Sequence, residues 1–239
     1  MSGIVLVATV VRKTQPLMLR VGSAALAALA VVAWPSSAGA APRASASPAA
    51  ILKAGLMVPR DVPSAWTSTT TPKNPDLLRV EGIGACAATR AALSAANRGA
   101  SRAFSRKFVA PDQIGAAQDV VFVGRNDGAA QTFAGAYDGP QGQACVQAVV
   151  GKIAKQASGT AVVTPLTDLA GLGDQALGYQ FLISAPNHGA VVTGVYDLVV
   201  VRVGRAVTGF QFQNAILPLP ERTSIVSAVV ARFRTVVTG

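Results

Sequence analysis

The chain has 239 residues, 51% of them hydrophobic and only 13% charged, with 21 basic against 11 acidic side chains for a formal net charge of +10. Two cysteines and one histidine cannot supply the three or four soft ligands of a transition-metal site, and they leave little of the chemistry that nucleophilic catalysis uses.

From the N-terminus, Arg12, Lys13 and Arg20 flank a fourteen-residue apolar run, Val21 to Trp34, that leads to Ala38-Gly39-Ala40. A basic start, a short apolar centre and small residues at −3 and −1 make an export leader, because the peptidase pocket admits only small side chains there. Residues 1–40 are therefore expected to be a signal peptide cleaved near Ala40, with Met18 as an alternative start. A spanning helix needs roughly 20 apolar residues, and this run is shorter and ends in Trp34-Pro35-Ser36-Ser37. No cysteine stands near the cleavage site to take a lipid, so the expected destination is the periplasm, wall or medium. Removing the leader leaves eighteen basic against eleven acidic residues. Such a moderately basic product is drawn to anionic surfaces.

Residues 41–48 lack large apolar groups and read as a flexible lead-in, and 49–239 as one domain. Ser47-Pro48 caps a short helix through Ile51, Leu52 and Leu56 that stops at Pro59. A Pro-, Thr- and Asn-rich loop from Val62 to Pro75 holds Trp66. An Ala-rich helix runs from Cys86 to Asn97-Arg98-Gly99, where glycine supplies the left-handed turn. Strands are predicted at 102–109 and 117–124. Asn126-Asp127 caps a helix carrying Phe133 and Tyr137, and Asp138-Gly139-Pro140 breaks it before a helix from Cys145 to Gln156. β-Branched runs follow at 160–164, 176–184, 190–203 and 206–213. Pro186-Asn187-His188-Gly189 and Gly204-Arg205 are tight turns, which makes these strands an antiparallel meander. Pro220-Glu221 opens a last helix whose Ile225, Val229, Phe233 and Val236 share a face, with Arg222, Arg232 and Arg234 largely elsewhere. The pattern predicts an α+β fold, a single domain with one antiparallel meander sheet covered on a face by helices.

Cys86 and Cys145, 59 positions apart, are expected to form a disulfide after export, pinning two helix starts together. Closing a loop of that length contributes about 4 kcal/mol in the chain-entropy model. No Cys-x-x-Cys motif suggests redox work.

Catalysis has few candidates. His188 sits in a turn beside Asn187 and Gly189, no Gly-x-Ser-x-Gly elbow follows the leader, and the scattered aspartates read mostly as caps and turn residues. A hydrolase using an aspartate pair or His188, with Asp174 and Asp197 as the residues to test, is the enzyme alternative. Gly82-Ile83-Gly84 lacks the third glycine of a phosphate loop, and Gly171-Leu172-Gly173-Asp174 reads as a turn. No cofactor is expected. Residues 82–111 hold Arg90, Arg98, Arg102, Arg106 and Lys107 with no acid, and Phe104 and Phe108 interleave with the last three. Inside a cell this pattern would suit nucleic acid; export redirects it to an anionic polymer, lipid headgroup or wall fragment, against the plain reading of a solvated strand edge. Trp66 is either a stacking platform for a ligand or an aromatic that pins its loop to the core.

Taken in order, Asp61-Val62-Pro63-Ser64-Ala65-Trp66, the Cys86 helix, Val120-Val121-Phe122-Val123 with Phe133, Ala144-Cys145, Leu172-Gly173-Asp174-Gln175-Ala176, the paired strands through Val201-Arg202-Val203-Gly204 and the terminal helix resemble the PknH-like extracellular sensor domains of actinobacteria. The resemblance covers about 50–239. It implies a helix-flanked antiparallel sheet, a cleft suspected of taking an envelope ligand and no established enzymatic activity. Family members often carry a second disulfide, for which this chain has no cysteines. The resulting expectation is a secreted, non-enzymatic envelope domain that binds through Trp66 or the basic 90–107 region, with a structural, partner-binding envelope protein as a third reading.

Overall fold

Ser47 opens the first helix as its sequence suggests: its hydroxyl accepts a hydrogen bond from Ala50 N at 3.2 Å, and Pro48 occupies the first turn, where no amide proton is needed. This computed structural model describes residues 46–69, 80, 82–214 and 221–238. The expected signal peptide, most of the lead-in, part of the Trp66 loop and Pro220 lie outside the described residues.

In chain order the elements are α1 (Pro48–Gly55), β1 (Thr67–Ser68), α2 (Ala87–Asn97), β2 (Ser101–Phe104), β3 (Phe108–Val109), β4 (Ala116–Val123), α3 (Asp127–Gly135), α4 (Gly139–Gln156), β5 (Thr160–Pro165), β6 (Gln175–Asn187), β7 (Ala190–Val203), β8 (Ala206–Asn214) and α5 (Arg222–Thr238). All the strand pairings among the described residues are antiparallel, in the order β1-β3-β4-β8-β7-β6-β5, with β2 also paired to β4. The fold is thus α+β in a single domain.

The meander β5–β8 follows from its turns. His188 and Gly189 both take positive φ, 47° and 85°, as a two-residue primed turn demands, and Gly204 at φ 51° opens the second hairpin. The predicted strand over 102–109 is instead broken. Phe104 stands opposite Val120 and Phe108 opposite Ala117, so one extra residue sits on this edge as a β-bulge. Ser105 fills the gap: its N–H donates to Asp119 O and its hydroxyl accepts from Asp119 N, both at 3.0 Å.

Helices cover both faces of the sheet rather than one. On one face α1 and α5 pack Ile51, Ile225, Val229 and Phe233 against Val121, Val199, Val201 and Phe210. On the other, α2, α3 and α4 set Ala96, Ala130, Val146 and Val150 against Phe122, Tyr179, Leu198 and Val200. Burial on both sides is why β4 is enclosed along its whole length.

Cys86 and Cys145 are joined by a disulfide. Its placement differs from the expected pair of helix starts. Cys86 is the N-cap position of α2, but Cys145 lies inside α4, because Asp138 caps that helix, accepting from Gly139 N at 2.8 Å, and Pro140 sits in its first turn. What reads as a break in sequence is a helix start.

Candidate functional site

The residues singled out from sequence do not converge. Trp66 packs against the core between α1, α5 and the sheet, beside the Met57, Val62 and Phe108 cluster. Arg90 is on α2, across the sheet, and its Nη1 donates to Val80 O at 3.0 Å and Ile83 O at 2.6 Å, which holds the chain entering the Cys86 turn. Arg98 follows α2, while Arg102, Arg106 and Lys107 lie on the bulged edge strand. Arg98, Arg102 and Arg106 are exposed, Lys107 is half-buried, and no ion pair engages any of the four among the described residues.

The hydrolase candidates are separated too. His188 is exposed in the β6–β7 turn, at the far end of that hairpin from Asp174. Asp174 accepts from Gly204 N at 2.6 Å and lies 3.6 Å from Arg202 Nη1, tying its loop to the β7–β8 turn. Asp197 is buried on β7, accepting from Arg222 Nη1 at 2.9 Å and Gln180 Nε2 at 3.2 Å, and Arg222 also pairs with Asp168. Arg222 and Arg232, which the sequence sets largely apart from the apolar face of the last helix, are both turned to structural use. Arg232 pairs with Asp61 at 2.5 Å and donates to Ala54 O and Leu56 O at 2.9 and 2.7 Å, clamping α5 to the end of α1.

One more acid lies under that clamp. Asp119, on β4, is 1% exposed and accepts from Met57 N at 3.1 and 3.2 Å and from Thr208 Oγ1 at 3.4 Å. Burial, with the Asp61 charge a lesser cause, outweighs the hydrogen bonds from the Ser105 hydroxyl, Met57 N and Thr208 Oγ1 and pushes its pKa from 3.8 up to about 7. Among the described residues no group of three or more His, Cys, Asp and Glu side chains could hold a metal ion, and no helix is long and apolar enough to cross a membrane.

The concave feature that sequence reading missed lies between the second half of α4 and the far ends of β6–β8. Val150, Ile153 and Ala157, three and four residues apart, present one helical face to a floor of alternating sheet residues: Phe181 and Ile183 of β6, Val192, Gly194 and Tyr196 of β7, Gln211 and Gln213 of β8. The groove holds about 500 Å³, within the span of small-molecule sites. No Asp, Glu, Lys, Arg or His lines it among the described residues; its polar groups are the Tyr196 hydroxyl and side-chain amides. Gly194 keeps the floor open, since a Cβ there would come within 3.0 Å of the Tyr196 ring. Two signals for it were present in the sequence. A glycine interrupts an otherwise β-branched run at 194, which marks close approach of another group. Gln211 and Gln213 alternate with Phe210 and Phe212, which puts amides on the face opposite the buried phenylalanines.

No family model matches the chain, and no curated protein matches it. Among solved structures it is similar to the extracellular domain of PknH from Mycobacterium tuberculosis, at 9% identity and a TM-score of 0.38, over 77% of this chain and 95% of that one. It is also similar to LpqN, involved in cell envelope biogenesis of Mycobacterium tuberculosis, at 14% identity and a TM-score of 0.30, over 73% of this chain and 78% of that one. Likeness at this level assigns the chain to no family and carries no function across.

Proposed function

We propose that this protein is an exported, non-enzymatic domain of the cell envelope that holds the apolar chain of a lipid-like ligand in the groove between α4 and β6–β8. The observation that carries the reading is the uncharged lining of that groove among the described residues: an alkyl chain gains from leaving water there, about 25 cal/mol per Å² of apolar surface, while its side-chain amides suit a polar head. The leader pattern of residues 1–40 and the Cys86–Cys145 bond support the compartment. The scattering of His188, Asp174 and Asp197, each at its own structural task or turn, weighs against hydrolysis. Titration with dansyl-undecanoic acid is expected to raise its fluorescence, and dodecanoate is expected to raise the thermal midpoint. Gly194→Leu, which fills the floor and displaces the Tyr196 ring, is expected to weaken both by tenfold or more, with circular dichroism of the ligand-free variant checking that it is folded. Absence of any response in the wild type would end the lipid reading, and a midpoint shift with soluble muropeptides alone would replace it with a polar wall ligand.

A second reading rests on the exposed Arg98, Arg102 and Arg106 with Lys107 beside them, none of them ion-paired among the described residues: a cationic strip for an anionic envelope polymer. Retention on phosphatidylglycerol vesicles or on immobilised polyphosphate, falling steeply between 50 and 200 mM salt, is its expected signature. An Arg102→Glu, Arg106→Glu variant retained as well as the wild type would discard it.

A further inference from the structure

The two edges of the sheet are finished differently. At one, β2 and β3 are short and bulged, Arg102 and Arg106 are exposed, and β1 covers β3, all of which discourage another strand from pairing there. At the other, β5 pairs with β6 in unbroken register from Thr160↔Ser184 to Pro165↔Tyr179, and nothing among the described residues pairs with its outer side. In a chain of net charge +10, no ionisable residue stands between Lys155 and Asp168. Val162, at the centre of β5, is 57% exposed. The bond from Leu166 N–H to Gly178 O sets the phase of the ladder. In an antiparallel pair residues alternate, so 160, 162 and 164 turn their backbone groups to β6, and Ala161 and Val163 turn theirs outward.

We propose that β5 is a self-association edge, on which a second copy of this chain adds antiparallel about a two-fold axis at Val162, continuing one sheet through both subunits. Ala161 then exchanges N–H···O bonds with Val163 of the partner subunit, and Val163 with the partner's Ala161. The ladder stops by itself, because Pro165 has no N–H and Gly159 N is already bonded to Ala154 O at 2.8 Å. Charge selects the occupant. A two-fold contact sets each residue against its own copy or a near neighbour, which a charged strand on a basic chain would not tolerate. Here the facing pairs are Val162 with the partner's Val162 and Thr160 with the partner's Thr164, β-branched residues that pack well across strands. The ladder is short, so the dimer belongs to the weak, transient class.

Sedimentation velocity of the purified protein from about 1 to 500 µM is the test, that range spanning weak complexes. The wild type is expected to pass from monomer to dimer. Val162→Lys and Val162→Glu, at an exposed position, are expected to keep the wild-type circular dichroism and to lose association at least tenfold, and their equimolar mixture to regain it. Amide exchange at Ala161 and Val163, slowed with rising concentration, checks the same edge without substitution. A wild type that stays monomeric throughout, a Val162→Lys variant that associates like the wild type, or a folded mixture that does not recover would each overturn the proposal.

Discussion

Asp119→Asn is expected to make the protein more stable at pH 8 while changing it little at pH 5. The carboxyl is buried on β4, and its pKa is about 7 in the folded state against 3.8 when free. The native state therefore holds a proton that the unfolded chain has released between those two values. The stability due to this group is present in full below pH 3.8 and is lost as pH rises through about 7, the reverse of an acid held low by a cation. Fully converted, the shift corresponds to about 4 kcal/mol, an upper bound for a group that can relax or admit water. Asparagine keeps an oxygen to accept from Met57 N and cannot ionise, so it removes the pH slope. Its amide protons need acceptors, which costs about 1 kcal/mol and roughly offsets what ionisation of the unfolded chain has already taken from the wild type at pH 5. Urea unfolding of both proteins at pH 5, 6, 7 and 8 reads the difference directly. Parallel curves would mean that Met57 N and Thr208 Oγ1 hold Asp119 ionised throughout the range.

That acid also marks where sequence reading ran out. The four β-branched runs of the meander were legible because each is bounded by a turn whose residues dictate its geometry, His188-Gly189 and Gly204-Arg205 being the clearest. The bulge at 105–107 was not, since Ser105 is committed to Asp119 fourteen positions away. Arg232 reads only as a residue off the apolar face of its helix until the chain brings Asp61 to it across 171 positions. Coverage of the sheet on both faces was available in principle. Val199, Val200 and Val201 are consecutive and all buried, and a run without alternation is the mark of a strand enclosed on both sides. The groove depends on how α4 is set over β6–β8, a tertiary fact that leaves only the glycine at 194 and two glutamines as traces. Trp66 and the arginines drew attention because aromatic and charged residues are conspicuous in a string of letters; the lining of the groove is ordinary aliphatic sequence.

Replacing both cysteines, Cys86→Ala with Cys145→Ala, is expected to lower the unfolding free energy by about 4 kcal/mol, a large part of the roughly 5 to 15 kcal/mol available to a domain. The bond closes a 59-residue loop that contains α2, β2, β3, β4 and α3. Without it the unfolded chain regains the freedom of that whole stretch, and the native state loses little, because Val80, Val149, Ile83 and Leu93 still pack around the site. Alanine is the informative replacement. Both cysteines are 0% exposed, so serine would add two buried hydroxyls in search of partners and confuse the two effects. Two readouts separate the mechanisms. An effect through the unfolded state predicts a larger dependence of stability on urea in the variant, since its unfolded ensemble exposes more surface. A loss of about 1 kcal/mol or less with an unchanged slope would show instead that apolar packing between the Cys86 turn and α4 carries the contact alone. In that case the fluorescence response proposed for the groove beside α4 should persist in the reduced protein. If the larger loss is found, reduction should abolish the response at temperatures where the oxidised protein remains folded.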